Sequence, residues 1–160
     1  MSGEYPIIID SREQKPYSFP GVTTRFEQLN VGDYTVAGYE SEFAVERKTL
    51  DDLARSLGTD RERFENEIQR AVDANMDHLE VVIEAPEWYV ADYAGTKSSP
   101  KYYSDIYPNS ILGTISAWSD RYDALGFTWA DNREGGKAET LRLLDKWYIK
   151  RVMENGTREE

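Results

Sequence analysis

The sequence predicts an α/β domain of three layers, a mixed central sheet flanked by helices on both faces. Three observations lead there. Strand-like apolar runs alternate with segments of helical period along the chain. The run 79–83 is nearly unbroken by polar residues, as expected of a strand covered on both faces. No internal repeat, low-complexity tract or linker divides the 160 residues, a length that suits one packed core.

Taken in order, the first strand covers residues 5–9 and delivers Asp10 at its carboxyl end, before the polar stretch 11–16. Residues 23–29 read as a second strand and 31–36 as a third, broken by Ala37 and Gly38. Residues 43–48 return as the other arm of a hairpin. Thr49 fits a helix N-cap with Asp52 three residues on, and Leu50, Leu53, Ala54 and Leu57 keep helical spacing until Gly58 stops them. A second capping box, Thr59 with Glu62, is expected to open a helix whose apolar positions are Phe64, Ile68, Ala71 and Val72. His78 reads as a loop residue before the 79–83 strand.

From 86 to 108 the period loosens. Gly95, Ser98, Ser99 and Pro100 mark a surface loop that carries Lys97 and Lys101 among tyrosines, either an ordinary tyrosine-rich loop or one whose rings stack on unpaired bases. Ile111, Ile115, Trp118, Tyr122 and Leu125 form one helical stripe, 126–130 a last short strand, and 131–136 a turn. A final helix over 137–153 has an apolar arc wider than one sheet face requires. The excess points to a homodimer through the last two helices, with Ile111, Ile115, Trp118, Leu141, Leu144, Trp147 and Tyr148 as contacts, unless these residues complete a monomeric core, at whose margins Trp and Tyr are also common. The domain so read spans 1–154, with 155–160 a frayed tail.

Composition excludes several kinds of chemistry. There is no cysteine and only one histidine, so disulfides, thiol catalysis and a Cys/His zinc site within the chain are ruled out, and any metal must be held by oxygen. No apolar run reaches the roughly 20 residues of a membrane span, and the start lacks a secretory pattern, so a soluble, intracellular protein is expected. The net charge of −11 argues against nucleic acid, because phosphate binding favours basic surfaces. Two readings stay open on composition alone: an acidic protein with no nucleic-acid role, or one whose bulk surface is acidic, compatible with a high-salt cytoplasm, around a small functional patch.

The acids decide between them. On a strand Glu46 and Lys48 share one face, while Val45 and Arg47 share the other. The hairpin brings Asp33 alongside, and the end of the first strand adds Asp10. Two carboxylates about 4 Å apart repel by roughly 4 kcal/mol at an effective dielectric near 20, so such a cluster calls for a cation. Oxygen ligands suit Mg²⁺ or Mn²⁺, which polarises a phosphodiester and activates water. Lys48 is placed to position that water or to neutralise developing charge. Read alone, Glu-x-Lys on a strand is more readily a surface salt bridge in an acidic protein.

The ensemble is more specific. The order I-I-I-D-S-R-E at 7–13, G-D-Y at 32–34 and V-E-R-K-T-L-D-D-L at 45–53 resembles the nuclease domain of the XPF family of structure-specific endonucleases. The match rests on Gly32, Asp33, Glu46, Arg47, Lys48 and Asp52, together with Asp10, Arg12 and Glu13. Arg63 and Phe64, then the strand ending in Glu84, extend it over nearly the whole chain. Glu67 departs from the pattern, which has glutamine there.

The resemblance implies a restriction-enzyme-like fold and metal-dependent DNA cleavage near branched DNA, at flaps, forks or junctions, in repair, recombination or replication. Asp10, Asp33 and Glu46 are then the metal residues, and Asp33, Glu46, Arg47, Lys48 and Asp52 the catalytic set. Asp52 is equally a helix cap. Arg47 is as well placed to brace Glu13 or Asp52. Glu13 is either an acid behind the ligands or a further ligand, and Arg12 stands beside it. Arg12, Arg63, Lys97 and Lys101 are the candidate DNA contacts, although a solvated helix face also accounts for Arg63. The chain ends soon after the last helix, without the helix-hairpin-helix or helicase modules of relatives, so a second subunit or a helicase or DNA-binding partner is expected to add affinity. The competing reading is a catalytically silent scaffold that dimerises with a partner; the complete set of signature acids counts against it.

Overall fold

The computed structural model describes residues 5–91 and 108–159. Six strands and five helices follow one another as β1 (Ile7–Asp10), β2 (Thr24–Glu27), β3 (Tyr34–Val36), β4 (Phe43–Lys48), α1 (Leu50–Leu57), α2 (Arg61–Asp73), β5 (His78–Ile83), α3 (Glu87–Ala91), α4 (Pro108–Arg121), β6 (Leu125–Trp129) and α5 (Arg133–Glu159). The sheet order is β2-β1-β3-β4-β5-β6. β1 runs parallel to β2 and antiparallel to β3, β3 is antiparallel to β4, and β4, β5 and β6 are mutually parallel, so the sheet is mixed.

Alternation along the strands fills two cores, one per face. Ala44, Val81 and Ile83 pack with Leu53, Phe64, Ile68, Ile111 and Trp118 from α1, α2 and α4. Phe43, Val45 and Val82 pack on the other face with Tyr17, Leu144 and Trp147, the latter two from α5. Helices on both faces of a mixed sheet give the three-layer α/β architecture. No helix of the described residues is long and apolar enough to cross a membrane.

Several elements depart from expectation. β3 begins at Tyr34 because the chain bends at Gly32, whose φ is +78° and whose place admits no side chain: an added Cβ would lie 2.6 Å from Ala44 Cβ. Thr59 is not a cap. The Asp60 N–H closes the preceding turn on the Arg55 carbonyl, so α2 starts one residue later, with Asp60 at the N-cap and no side-chain capping bond. Val72 is 42% exposed rather than core. His78 belongs to β5 and stacks on Trp147 at 4.9 Å between ring centroids. Tyr122 follows α4, and Leu125 opens β6.

α5 begins four residues before the expected start, capped by Asn132, whose Oδ1 accepts the Gly135 N–H at 2.8 Å. Gly136 sits in its first turn because a side chain there would collide with the Tyr17 hydroxyl. The helix runs to Glu159, through most of the stretch expected to fray. Residues 87–91 of the expected loop form α3. Lys97 and Lys101 lie outside the described residues.

The proposed dimer contacts require the largest correction. Ile111, Trp118, Leu144 and Trp147 are buried in the chain's own two cores, and Ile115, Leu141 and Tyr148 pack against them. α4 and α5 cover opposite faces of the sheet, so these seven side chains are taken up by the chain's own packing. The apolar residues that α5 does expose are Ile149, Val152 and Met153.

Candidate functional site

The bend at Gly32 hangs Asp33 between two strands. Its N–H donates to the Val45 carbonyl on β4 and its own carbonyl accepts the Asp10 N–H at the end of β1, each at 2.8 Å. The Arg47 N–H donates to Asp33 Oδ2, also at 2.8 Å, so the carboxylate as well as the backbone is fixed. On β4, Glu46 and Lys48 lie on the α2 side, with Lys48 Nζ 4.0 Å from Glu46 Oε1 and 4.7 Å from the centroid of the Phe64 ring. Glu67 enters from α2. Its Oε2 accepts the Gly32 N–H at 3.2 Å, and its carboxyl lies within hydrogen-bonding reach of Glu46, which in turn reaches Asp33.

Three carboxyls are thus gathered with one ammonium. Burial raises the pKa of Asp33 to about 6, with further pressure from Glu13 opposed by hydrogen bonds from Glu46 and Arg47. Burial and then Asp33 push Glu46 up to about 8, and burial and then Glu46 do the same for Glu67. Glu46 is only 7% exposed, and its buried Oε2 has no hydrogen-bond donor. An orphaned carboxylate oxygen among other carboxyls fits a hard divalent cation. Among the described residues no group of three Asp, Glu, His or Cys side chains is arranged to hold a metal ion by itself. The fit therefore rests on donor chemistry and charge.

Asp10 is buried beside them, but its carboxylate is already engaged: Arg12 Nε donates to both oxygens at 3.1 and 3.2 Å, and the Leu29 N–H donates to Oδ1 at 3.3 Å. Arg47 turns to the other side of β4. Its guanidinium binds Glu13 through Nε at 3.0 Å and Nη2 at 2.8 Å, and Glu84 through Nη1 at 3.1 Å. Glu84 also accepts the Tyr17 hydroxyl at 2.5 Å. Glu13 is therefore the counter-ion of Arg47, and Asp52 is not.

The Asp52 N–H donates to Thr49 Oγ1, and its carboxylate pairs with Arg55 at 2.6 Å. Burial would raise the Asp52 pKa, but the bonds to Arg55 and Thr49 win and hold it below the ordinary value. Asp52 faces the site while serving the first turn of α1.

A cavity of about 600 Å³ joins these groups, with Asp10, Asp33, Glu46 and Glu67 among its lining residues and the arginines Arg12, Arg55, Arg63 and Arg70 exposed about it. Arg63 has no hydrogen-bond or ion-pair partner among the described residues, and with Arg70 and Asn66 it also lines a smaller adjoining cavity. Basic side chains above buried acids suit an anionic chain held over a cation. Sequence patterns alone assign no role to Glu67, Glu84, Arg55 or Arg70. For Glu67 a signal exists: it stands three residues after Phe64 on the stripe that includes Ile68 and Ala71, an acid where the period calls for an apolar side chain.

Residues 9–135 match the ERCC4 domain family, a span holding every acid of the site. No curated protein matches the sequence. Among solved structures the fold is similar to XPF from Aeropyrum pernix, at 19% sequence identity and a TM-score of 0.64, over 93% of this chain and 69% of that one.

Proposed function

The chain belongs to the ERCC4 domain family, a family of structure-specific nucleases, and from that premise we propose that it is an endonuclease dependent on Mg²⁺ or Mn²⁺ that cuts DNA beside a branch. The observation that carries the reading is the Glu46 carboxylate, buried, lacking a donor at Oε2, and set between Asp33 and Lys48 under a rim of arginines. Asp33 and Glu46 would hold the cation, with Asp10 next to them. When bound, the ion polarises the scissile phosphate and lowers the pKa of water.

The chain's own residues do the rest. Arg63, Arg12 and Arg70 bind phosphates on either side of the scissile bond and set the strand's register. Lys48, held near Glu46, neutralises charge on the phosphate oxygens as the water oxygen bonds to phosphorus and one P–O ester bond breaks, the water giving up a proton to solvent and the leaving oxygen taking one to depart as a hydroxyl. Arg47 keeps Asp33 aimed through its N–H while its side chain anchors β4 from behind.

Unaided affinity for DNA should be low at a net charge of −11. A second subunit or a DNA-binding or helicase partner would supply it, and a homodimer would use the exposed apolar residues of α5 rather than Trp118 or Trp147. Incubation of labelled flap, fork, junction and linear DNAs with Mg²⁺, Mn²⁺ or chelator tests the reading. Cleavage next to branches that chelator abolishes is expected. Failure to cut any of these substrates with either metal would favour a silent scaffold.

A further inference from the structure

Glu67 is the acid the site does not need on the reading just given, and its placement is specific. It leaves α2 from the buried stripe, takes the N–H of Gly32 at 3.2 Å immediately before Asp33, and comes within hydrogen-bonding reach of Glu46. Its neighbours Phe64 and Ile68 are core residues, so the helix holds it there rather than in solvent. Among the described residues Lys48 is the one cation paired with the group, at 4.0 Å from Glu46. Three carboxylates against one ammonium leave two negative charges, the charge of one divalent ion. Glu46 Oε2, buried and without a donor, marks where the deficit falls.

We infer that Glu67 is a third carboxylate of the cation centre, joining Asp33 and Glu46 and setting the affinity of the site for divalent metal. The inference rests on the reading of this site as a cation centre and adds a residue to it. Mg²⁺ and Mn²⁺ keep several waters and take one or two carboxylates directly, so Glu67 needs no closed cage: it acts on the ion by charge and through the ion's water shell.

Glutamine at this position separates charge from structure. In Glu67→Gln the side-chain carbonyl can still accept the Gly32 N–H, and the amide can donate to the orphaned Glu46 oxygen. The test is Mn²⁺ titration by calorimetry at pH 8, with melting temperatures measured with and without Mn²⁺, on the parent chain, Glu67→Gln and Asp33→Asn. Glu67→Gln is expected to weaken Mn²⁺ binding by about tenfold or more, to shrink the Mn²⁺-induced rise in melting temperature, and to melt no lower than the parent without metal.

A dissociation constant within about twofold of the parent's would remove Glu67 from the centre. If Asp33→Asn alone abolishes binding, the cation centre stands and only the role of Glu67 falls. If neither variant weakens binding, both readings fall together. A metal-free Glu67→Gln that melts well below the parent would make Glu67 a structural acid and overturn the inference.

Discussion

The Arg47 N–H donates to Asp33 Oδ2 at 2.8 Å, and through this bond the strand that carries Glu46 also aims the second acid of the site. Asp33 holds that position by backbone as well, bonded to Val45 and Asp10. The two acids are therefore coupled by β4 itself, and substitutions at either should act on metal binding without disturbing the sheet.

Asp33→Asn and Glu46→Gln are expected to lower metal-dependent cleavage of branched DNA by about 10²-fold or more. Both keep side-chain volume, and the amide of Asp33→Asn would still offer an oxygen to the Arg47 N–H. Without metal, at pH 8, each variant should melt higher than the parent by roughly 2–4 °C, because a buried like-charge contact is removed. Cleavage at the parent rate by either variant would show that the metal site lies elsewhere.

Stability without metal should fall as pH rises. The carboxyls of Asp33, Glu46 and Glu67 have folded pKa values raised above their unfolded values near 4, to about 6, 8 and 8. Raised groups contribute stability that is complete below the unfolded pKa and disappears as pH climbs through the folded value. Each loses roughly 1.4 kcal/mol per pH unit across its own window, coupling within the cluster aside. Denaturant unfolding of the chelated protein between pH 5 and 9 should show the decline, and saturating Mn²⁺ should flatten it. A flat profile without metal would contradict the crowding of these acids.

Arg47→Ala should cost about 3–5 kcal/mol, since it strands the buried carboxylate of Glu13 and leaves Glu84, among the described residues, only Tyr17 and the more distant Arg133. Arg47→Lys loses the two-pronged bond to Glu13 and should fall between. Mn²⁺ affinity of whatever fraction stays folded should change little, because the guanidinium does not face the cation. An Arg47→Ala protein as stable as the parent would deny the bracing role.

Arg63→Ala should leave stability within about 0.5 kcal/mol, as the side chain is exposed and has no partner among the described residues. DNA binding should weaken evenly across sequences, with the salt dependence losing about one phosphate contact. An unchanged salt slope, measured by fluorescence anisotropy at several ionic strengths, would return Arg63 to an ordinary solvated helix face.

What can be read from the sequence depends on whether the signal is local. β4 and α1 match their expected bounds because alternation in Phe43–Lys48, the Thr49 cap and the Gly58 stop lie within a few residues of one another. The start of α5 is hidden because Gly135 and Gly136 look like a turn in one dimension. Gly136 is in fact the clearance for Tyr17, more than a hundred residues earlier. The burial of Trp118 and Trp147 is hidden for the same reason: only the topology reveals that α4 and α5 lie on opposite faces. Asp33, Glu46 and Lys48 are legible as neighbours through hairpin and strand parity, whereas the approach of Glu67 from α2 depends on how a helix docks.

Parity along β4 also has a mechanical consequence. Glu46 faces the cavity and the next residue, Arg47, is fastened to Glu13 after β1 and to Glu84 after β5. Tension applied to Glu46 by a ligand is carried through one peptide unit to two anchorages on the far side of the strand. The centre is stiffened from behind, like a beam clamped at its back, and the side that opens on the cavity keeps its clearance.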